Sequence, residues 1–516
     1  MTSPPAAVGD RDQRPAPQSE PATGPRSARD GAPGRPGVAW RWVLPAAVTQ
    51  AVVLTVASLG YGWHRDELYF RMLPPAWGYV DQPPLVPFLA RTLASVADEP
   101  WAVRTPATFA SAVSVLLVAL LARELGGGRG AQALAAWGYA FSAMPLMLGH
   151  LLLTSTLDQA FWLAATLAAV RAVRSRDRWW LAVGAVAGVA SWSRLLVVVL
   201  GLALAAGLIV LGPRRVFRTP WLWAGGAVAA LLAAPNLVYQ ATHDWPQLAM
   251  GKALAQNNAG EVRSLALPLL LIMLGPVLAV VWGVGLGWLL RAPRRHEVGF
   301  LVVAFGVLVA FTLASGAQPH YPVHLLTVMY AAGCVPVARW LATRARWRRA
   351  FGVGLVLNAA FAMVLALPVV PLGVLGRTPV PALGPLVGDQ VGWPAYVEQV
   401  AQAWRSVAAG RHAAVVTSNY GEAGALARLG PALGLPTPHS GQNALADRPP
   451  AADVDTVVLV GWQAPHVADL FARCDVVARL DNGIGVDNEE QGAPVAVCTG
   501  PVADWATLWP RFRHLD

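Results

Sequence analysis

The chain has 516 residues, of which 55% are hydrophobic and only 13% are charged, and its net charge is +10 at pH 7. Soluble domains carry about 25% charged residues, so this composition excludes an ordinary soluble globular protein. Most of the positive charge is arginine placed between apolar blocks, which is typical of cytoplasmic membrane loops and argues against a nucleic-acid partner. The three cysteines form no CxxC pair, which excludes zinc ribbons and thioredoxin-type redox centres.

Residues 1–37 contain no apolar run and are rich in Pro, Gly, Ser and Arg. This composition cannot bury a core, so we predict a disordered tail on the cytoplasmic side. The first apolar segment lies too far from the start for a signal peptide, and we predict an uncleaved membrane helix there.

Windows of about 20 apolar residues, long enough to cross a bilayer as a helix, recur along the chain and give eleven predicted spans. They lie at 41–61, 102–122, 131–150, 156–174, 179–193, 195–211, 221–241, 264–290, 297–314, 322–342 and 350–369. The predicted fold class is therefore a polytopic α-helical membrane protein, with a transmembrane domain over 38–369.

Arginines cluster in alternate loops between these spans, and by the positive-inside rule those loops face the cytoplasm. The clusters are Arg123 and Arg129; Arg171, Arg174, Arg176 and Arg178; Arg214, Arg215 and Arg218; Arg291, Arg294 and Arg295; and Arg344, Arg346, Arg348 and Arg349. This alternation predicts a multi-pass protein of the cell membrane, with the N-terminus inside and the C-terminal part outside.

Residues 370–516 are predicted to form an extracytoplasmic α/β domain. The runs at 413–417 and 456–461 resemble buried strands, and those at 422–429 and 466–474 resemble helices. Cys474 and Cys498 both lie in this tail. In an oxidising compartment they would form a disulfide, and two buried free thiols are the alternative.

The first outer loop carries two acidic, aromatic motifs. Asp66 and Glu67 stand three and two residues before Tyr69, and Asp81 and Gln82 precede a double proline. A solvated loop in which Asp66 caps a helix is the alternative, but two such motifs in one loop favour a site.

Polar residues recur at the outer ends of later spans. Asp158 begins one span, where helix capping is the simpler explanation. Arg194 stands at an outer end, where a cation needs an anionic partner unless it only reaches the interface. The other outer residues are Asn236, Gln240, His243, Trp245, the single lysine Lys252, Gln318, His320 and Tyr321.

Several motifs occur in an order that resembles the GT-C superfamily of membrane glycosyltransferases. They are Asp66-Glu67-x-Tyr69, Pro83-Pro84-Leu85, Asp158, Pro235-Asn236-Leu-x-x-Gln240-x-x-His243-x-Trp245-Pro246, Ser315-Gly316 to Tyr321, Val391-Gly392-Trp393-Pro394, Asn419-Tyr420-Gly421-Glu422-Ala423 and Asp487-Asn488-Glu489-Glu490. The chain is most similar to bacterial members of glycosyltransferase family thirty-nine that carry a soluble tail. This family includes protein O-mannosyltransferases and lipid A aminoarabinose transferases.

The resemblance implies an inverting transferase that moves a sugar from a polyprenyl-phosphate donor to an extracytoplasmic glycan, lipid or protein. Asp66 would then act as the general base and Glu67 would orient it or raise its pKa. Arg65, Arg194 and Lys252 would bind the donor phosphate. The expected substrate contacts are Tyr69, Asp81, Gln82, Asp158, Asn236, Gln240, His243, Trp245, Gln318, His320 and Tyr321.

The sequence departs from the family where Gln82, Gln318 and His320 replace usual lysine or tyrosine residues. No cofactor is certain: Asp81, His243 and His439 are ligand types for a divalent metal, but their spacing does not show a site, and surface histidines are the alternative. The competing function is a transporter or a flippase for lipid-linked sugars, although neither an internal repeat nor mid-span charges point to one.

Overall fold

The computed structural model describes residues 1–4, 36–292, 295–316, 318–407 and 412–516. Most of the tail predicted to be disordered, and Arg294, lie outside these ranges. The helices up to residue 366 are α1 Trp40–Ala57, α2 Arg65–Met72, α3 Leu85–Val96, α4 Pro100–Val103, α5 Thr105–Glu124, α6 Arg129–Ala140, α7 Ala143–His150, α8 Thr156–Arg174, α9 Trp179–Ala190, α10 Val197–Val210, α11 Pro220–Thr242, α12 Pro246–Ile272, α13 Pro276–Arg291, α14 Arg295–Val298, α15 Phe300–Ser315, α16 Val323–Ala342 and α17 Ala345–Ala366. The tail adds α18 Leu372–Leu375, α19 Val380–Leu383, α20 Pro385–Gly388, α21 Trp393–Val407, α22 Tyr420–Leu429, α23 Ala464–Val467 and α24 Trp505–Leu508.

Every predicted span falls on helical residues, but the helices differ in length. Within the described residues, α1, α11, α16, α17 and the run Pro100–Glu124 are long and apolar enough to cross a membrane, and a bent pair over α12 and α13 makes a sixth candidate. Four shorter apolar helices are α3, α9, α10 and α15. The protein is thus a helical membrane protein, and the count of eleven crossings stays a prediction.

The helices are interrupted at several places along the predicted apolar stretches, and Arg194 lies at one of them. The chain bends by 94° between Ile272 and Pro276. The apolar stretch from 179 to 211 is divided into α9 and α10, and Arg194 lies in the turn between them. Asn236 on α11 secures this turn, because its Nδ2 donates to the Ser191 carbonyl at 2.7 Å.

The strands lie in the tail and form one mixed sheet. They are β1 Ala413–Thr417, β2 His439–Ser440, β3 Thr456–Val460, β4 Phe471–Arg479 and β5 Pro494–Pro501, in the order β2-β1-β3-β5-β4. β1 is parallel to β2 and β3, and β5 is antiparallel to β3 and β4. The two predicted strands are present, as is a helix over 422–429. The helix predicted over 466–474 is confirmed only up to Leu470, because α23 and a following 3₁₀ turn at Ala468–Leu470 end there, and from Phe471 onward the chain pairs with β5 as a strand.

The tail and the loop that follows α1 share a hydrophobic core. Leu68 and Phe70 of α2 pack in one buried cluster with Trp393 of α21 and Leu426 of α22. The Trp393 indole N–H also donates to the Trp63 carbonyl at 3.0 Å. The α/β tail is therefore packed directly on the loop that carries the acidic motif.

Candidate active site

The acidic motif begins a short helix whose N-terminus is capped by its neighbours. The His64 side chain accepts a hydrogen bond from the Asp66 backbone N–H at 3.2 Å, and the His64 backbone N–H donates to Glu67 Oε2 at 2.9 Å. This capping box satisfies the first turn of α2 without the Asp66 carboxylate. The capping alternative for Asp66 is therefore wrong, and its side chain is available for another role.

Asp66 faces a cavity of about 320 Å³ between the loops of the helical part and the tail. The lining residues are Arg65, Asp66, Tyr69, Phe70, Asp81, Thr154, Arg194, Met250, Leu254, Gln318, Tyr420, Gln442, Asn443, Glu489 and Asp516. Six of the predicted site residues are among them: Arg65, Asp66, Tyr69, Asp81, Arg194 and Gln318. The cavity thus combines carboxylates with two guanidinium groups.

The Asp66 carboxylate is held by the tail. Tyr420 Oη donates to Asp66 Oδ1 at 2.9 Å. Burial raises the pKa of Asp66, and the Tyr420 hydrogen bond and the Arg65 charge act in the opposite direction. A carboxylate whose pKa moves upward while it stays close to a cation is suited to accept a proton.

A second carboxylate lies across the same cavity. Tyr69 Oη donates to Asp81 Oδ1 at 3.2 Å, and the Gln82 amide donates to Asp81 Oδ2 at 3.4 Å. Burial raises the pKa of Asp81 to about 7, and the charge of Asp66 adds to this effect. Gln82 is itself buried, so it reaches the site through Asp81 instead of lining the cavity.

The two arginines that line the cavity differ in how closely carboxylates pair with them. Arg65 donates to Glu489 Oε1 at 2.9 Å, forms a closer ion pair with the same carboxylate, and lies 3.8 Å from Glu490. Among the described residues, the carboxylate nearest to Arg194 is that of Asp158, at a long 3.9 Å, and the Arg194 guanidinium rests over the Tyr321 ring at 5.1 Å. Arg194 is therefore the cation with more capacity for an anionic ligand.

Glu67, predicted beside Asp66 as a catalytic group, lies outside the cavity. It is fully buried and accepts hydrogen bonds from Arg104 Nε at 2.8 Å and Arg104 Nη2 at 2.9 Å. It also accepts the Leu152 backbone N–H at 3.1 Å. Through these contacts the Glu67 side chain stabilises the loop against Arg104 and Leu152.

Several other predicted residues do not line the cavity. Asn236 and Gln240 are buried on α11 and bond backbone groups near the α9–α10 turn and the start of α12. His243 stacks on Tyr239 at 4.1 Å, and Trp245 is exposed in a left-handed conformation. The remaining predicted residues outside the lining are Lys252, which is exposed, Asp158, His320 and Tyr321.

Among the described residues, no group of three His, Cys, Asp or Glu side chains is arranged to hold a metal ion. The structure thus does not gather Asp81, His243 and His439 into a site. Cys474 and Cys498 pair across β4 and β5 and are joined as a disulfide.

The sequence reasoning missed the tail residues of the cavity. Tyr420, Gln442, Asn443, Glu489 and Asp516 all come from beyond residue 413. Tyr420 and Glu489 belong to motifs that the family resemblance had singled out, and this was the one available signal.

Comparison with known proteins places this geometry in a family context. Residues 81–239 match the family model described as dolichyl-phosphate-mannose-protein mannosyltransferase. The fold is similar to that of ArnT from Cupriavidus metallidurans bound to undecaprenyl phosphate, with a TM-score of 0.58 and 16% identity over 89% of this chain and 98% of that chain. The apo form of the same protein gives a TM-score of 0.57 and 15% identity over the same shares.

The chain is thus similar in sequence, over residues 81–239, to a family of mannosyltransferases, and similar in fold to ArnT. An oligosaccharyltransferase from Archaeoglobus fulgidus in its apo form also matches this chain, with a TM-score of 0.44 and 12% identity over 81% of this chain and 69% of that chain. A comparison with curated protein sequences found no match. The family match includes Asp81, Asp158 and Arg194, and it favours a transferase over the transporter alternative.

Proposed function

We propose that this protein is a glycosyltransferase that moves a sugar from a polyprenyl-phosphate donor to a hydroxyl group of an extracytoplasmic acceptor, with Asp66 as the general base. The observation that carries the proposal is that Asp66 and Arg194 line the same cavity. One supplies a proton acceptor and the other a positive charge, and these are the two groups that a displacement from a sugar phosphate needs.

The bond changes follow from these two groups. The acceptor oxygen attacks the anomeric carbon while its proton passes to the Asp66 carboxylate. The bond between the anomeric carbon and the phosphate oxygen breaks, and the electron pair leaves on the polyprenyl phosphate. One displacement of this kind inverts the anomeric centre, and it needs no covalent sugar–enzyme intermediate.

Arg194 is the preferred ligand for the departing phosphate. It lies in the turn between α9 and α10, and its distance to Asp158 is long, at 3.9 Å. The guanidinium can therefore bind a second anion. Arg65 is already paired with Glu489, and Lys252 lies outside the cavity lining. Both are therefore weaker candidates than Arg194 for binding the phosphate. The loss of usual family lysines at Gln82 and Gln318 makes this arginine more important.

The donor class is supported by the proteins that resemble this one. The matched family is named for dolichyl-phosphate-mannose, and the ArnT structure contains undecaprenyl phosphate. Both carriers are polyprenyl phosphates. The extracytoplasmic position of the reaction is supported by the alternation of arginine clusters and by a disulfide in the tail.

The experiment is a transfer assay in proteoliposomes with a labelled polyprenyl-phosphate sugar and cell-envelope acceptors. Asp66→Asn should insert, fold and bind donor normally, but its transfer rate should fall by about 100- to 10,000-fold, as expected on loss of a general base. Asp504→Asn, an exposed tail residue far along the chain, is the matched control and should retain full rate. If Asp66→Asn turns over normally while Asp81→Asn or Asp158→Asn is inactive, the base is one of those acids.

A further inference from the structure

The tail helix α22 lies unusually close to the helix that carries Asp66. A Cβ atom added at Gly424 would be 2.7 Å from the carbonyl carbon of Leu68, so only glycine allows this approach. An ion pair strengthens the contact, because Arg428 Nε lies 2.6 Å from Asp98, which also pairs with Arg71 of α2. The docking brings the first residue of α22, Tyr420, to the cavity.

Tyr420 is fixed from several directions. Its backbone N–H donates to Gln442 Oε1 at 2.7 Å, and its ring lies 4.7 Å from the Tyr69 ring. The Arg65 guanidinium lies 5.0 Å above the same ring. A side chain held in this way has little rotamer freedom left, so its hydroxyl points at Asp66 Oδ1 in a defined direction.

We infer that Tyr420 is a positioning residue, whose hydroxyl orients the Asp66 carboxylate so that Oδ2 is turned toward the acceptor hydroxyl. The α/β tail would thereby complete the active site instead of only covering it. Tyr420 acts through Asp66 and not on the reacting atoms, so the inference rests on the proposed role of Asp66 as base.

The same hydrogen bond affects the charge of the base. A hydrogen bond to the ionised form of a carboxylate stabilises that form, so the Tyr420 hydroxyl lowers the pKa of Asp66 against the upward effect of burial. Other charged or titratable groups act on Asp66 from α2, the outer loops and the tail: Arg65, Glu67, Asp81, Arg194 and Asp389. Since Tyr420→Phe leaves all of these in place, its effect can be assigned to one hydroxyl group.

The test compares Tyr420→Phe with Tyr396→Phe in the full-length enzyme. Tyr396 is a buried tail tyrosine whose hydroxyl bonds Asn488 at 2.8 Å, away from the cavity. For Tyr420→Phe we expect kcat to fall by about tenfold or more, because small misplacements of a catalytic group are costly, while the donor KM stays within about twofold. The acid limb of the pH–rate profile should move up by about one pH unit, since the ionised base loses a hydrogen bond.

Tyr396→Phe should keep the kcat and the pH profile of the wild type. A Tyr420→Phe enzyme with unchanged kcat and acid limb would overturn the inference, as would equal losses in both variants with no shift of the limb. The single variant Asp66→Asn, assayed beside Tyr420→Phe, separates the two proposals. If Asp66→Asn alone is inactive and Tyr420→Phe is normal, only the positioning role fails; if Asp66→Asn is active, the base assignment itself fails.

Discussion

Glu67 and Arg104 form a fully buried, two-pronged ion pair, with Nε–Oε1 and Nη2–Oε2 distances of 2.8 and 2.9 Å. The Arg104 guanidinium also donates to the Gly62 carbonyl at 2.8 Å, and the Leu152 N–H completes the shell of Glu67. Asp66, its neighbour in the chain, faces the cavity instead. The two acids of the motif therefore have different surroundings: Glu67 holds the loop, and Asp66 is free to take the role of base that we propose for it.

The first prediction follows from this pair. Glu67→Gln should lower the free energy of unfolding by about 3–5 kcal/mol, because it leaves the Arg104 charge buried without a counter-ion. The folded fraction should keep most of its kcat. Thermal unfolding in detergent, followed by tryptophan fluorescence, measures the first quantity, and active-site titration corrects the second.

Glu398→Gln is the control for Glu67→Gln. Glu398 pairs with Arg405 on the exposed side of α21, where the loss of an ion pair costs about 1 kcal/mol or less. A Glu67→Gln enzyme with wild-type stability and a severely reduced kcat would mean that Glu67 takes part directly in the reaction.

The second prediction concerns Arg194. If it binds the donor phosphate, Arg194→Ala should lose at least about tenfold in kcat/KM, whereas Arg194→Lys keeps the charge and should lose less. Arg339→Ala, at the end of α16 that is predicted to face the cytoplasm, should change neither parameter. Steady-state kinetics with varied donor concentration decide the matter, and full activity in both Arg194 variants would leave this residue only an interfacial anchor.

The third prediction is a pH effect on stability from Glu422. Burial, with the charge of Glu490, raises the pKa of the Glu422 carboxyl to about 8 from an ordinary value of 4.5. Between these two pH values the unfolded chain is ionised and the folded chain is protonated, so stability falls as the pH rises and levels off above about 8. Thermal unfolding midpoints from pH 5 to 9 should show this slope in the wild type.

Glu422→Gln should reduce that slope, because a neutral amide does not titrate, and the slope that remains would come from other buried acids such as Asp81. It can still accept the Ser418 and Asn419 backbone N–H groups that Glu422 Oε2 accepts now. Asp504→Asn should leave the slope intact, since the pKa of Asp504 is lowered by its hydrogen bonds with Thr507 and its contribution is lost only in acid. An unchanged slope in Glu422→Gln would assign the effect to another buried acid.

The hydrophobic pattern was enough to predict a membrane protein and the positions of its helices, because apolar runs of bilayer length are typical of membrane helices. It could not predict the breaks inside them. The division of 179–211 into α9 and α10 depends on a contact from Asn236, which lies 45 residues from Ser191. The strand at Phe471–Arg479 likewise depends on its partner β5, which a local helical pattern cannot reveal.

Only the part of the site that comes from the loops before residue 370 could be predicted. Asp66, Asp81 and Arg194 drew attention because charged groups beside a membrane face are costly without a purpose. Tyr420 meets Asp66 across 354 residues of sequence, through a docking that depends on Gly424. No local pattern encodes such a contact, so the contribution of the tail to the cavity could be seen only in the folded structure.

The last prediction links the tail disulfide to the topology. Cys474 and Cys498 are opposite each other in the β4–β5 register and close a loop with a sequence separation of 24. Replacing both with serine should lower the free energy of unfolding by about 3 kcal/mol, as expected for a loop of this size. Cys334→Ser, inside α16, should leave the bond intact.

Because such bonds persist in oxidising compartments, we predict that the bond occurs together with an extracytoplasmic tail. Mass mapping of unreduced protein from native membranes should find the linked Cys474 and Cys498 peptides, and a reporter fused near Gln442 should indicate the exterior. Fusions at Arg129 and Arg215 should indicate the cytoplasm, because both lie in arginine clusters. Two freely alkylated thiols together with a cytoplasmic signal at Gln442 would reverse the topology and move the cavity of Asp66 to the wrong side of the membrane.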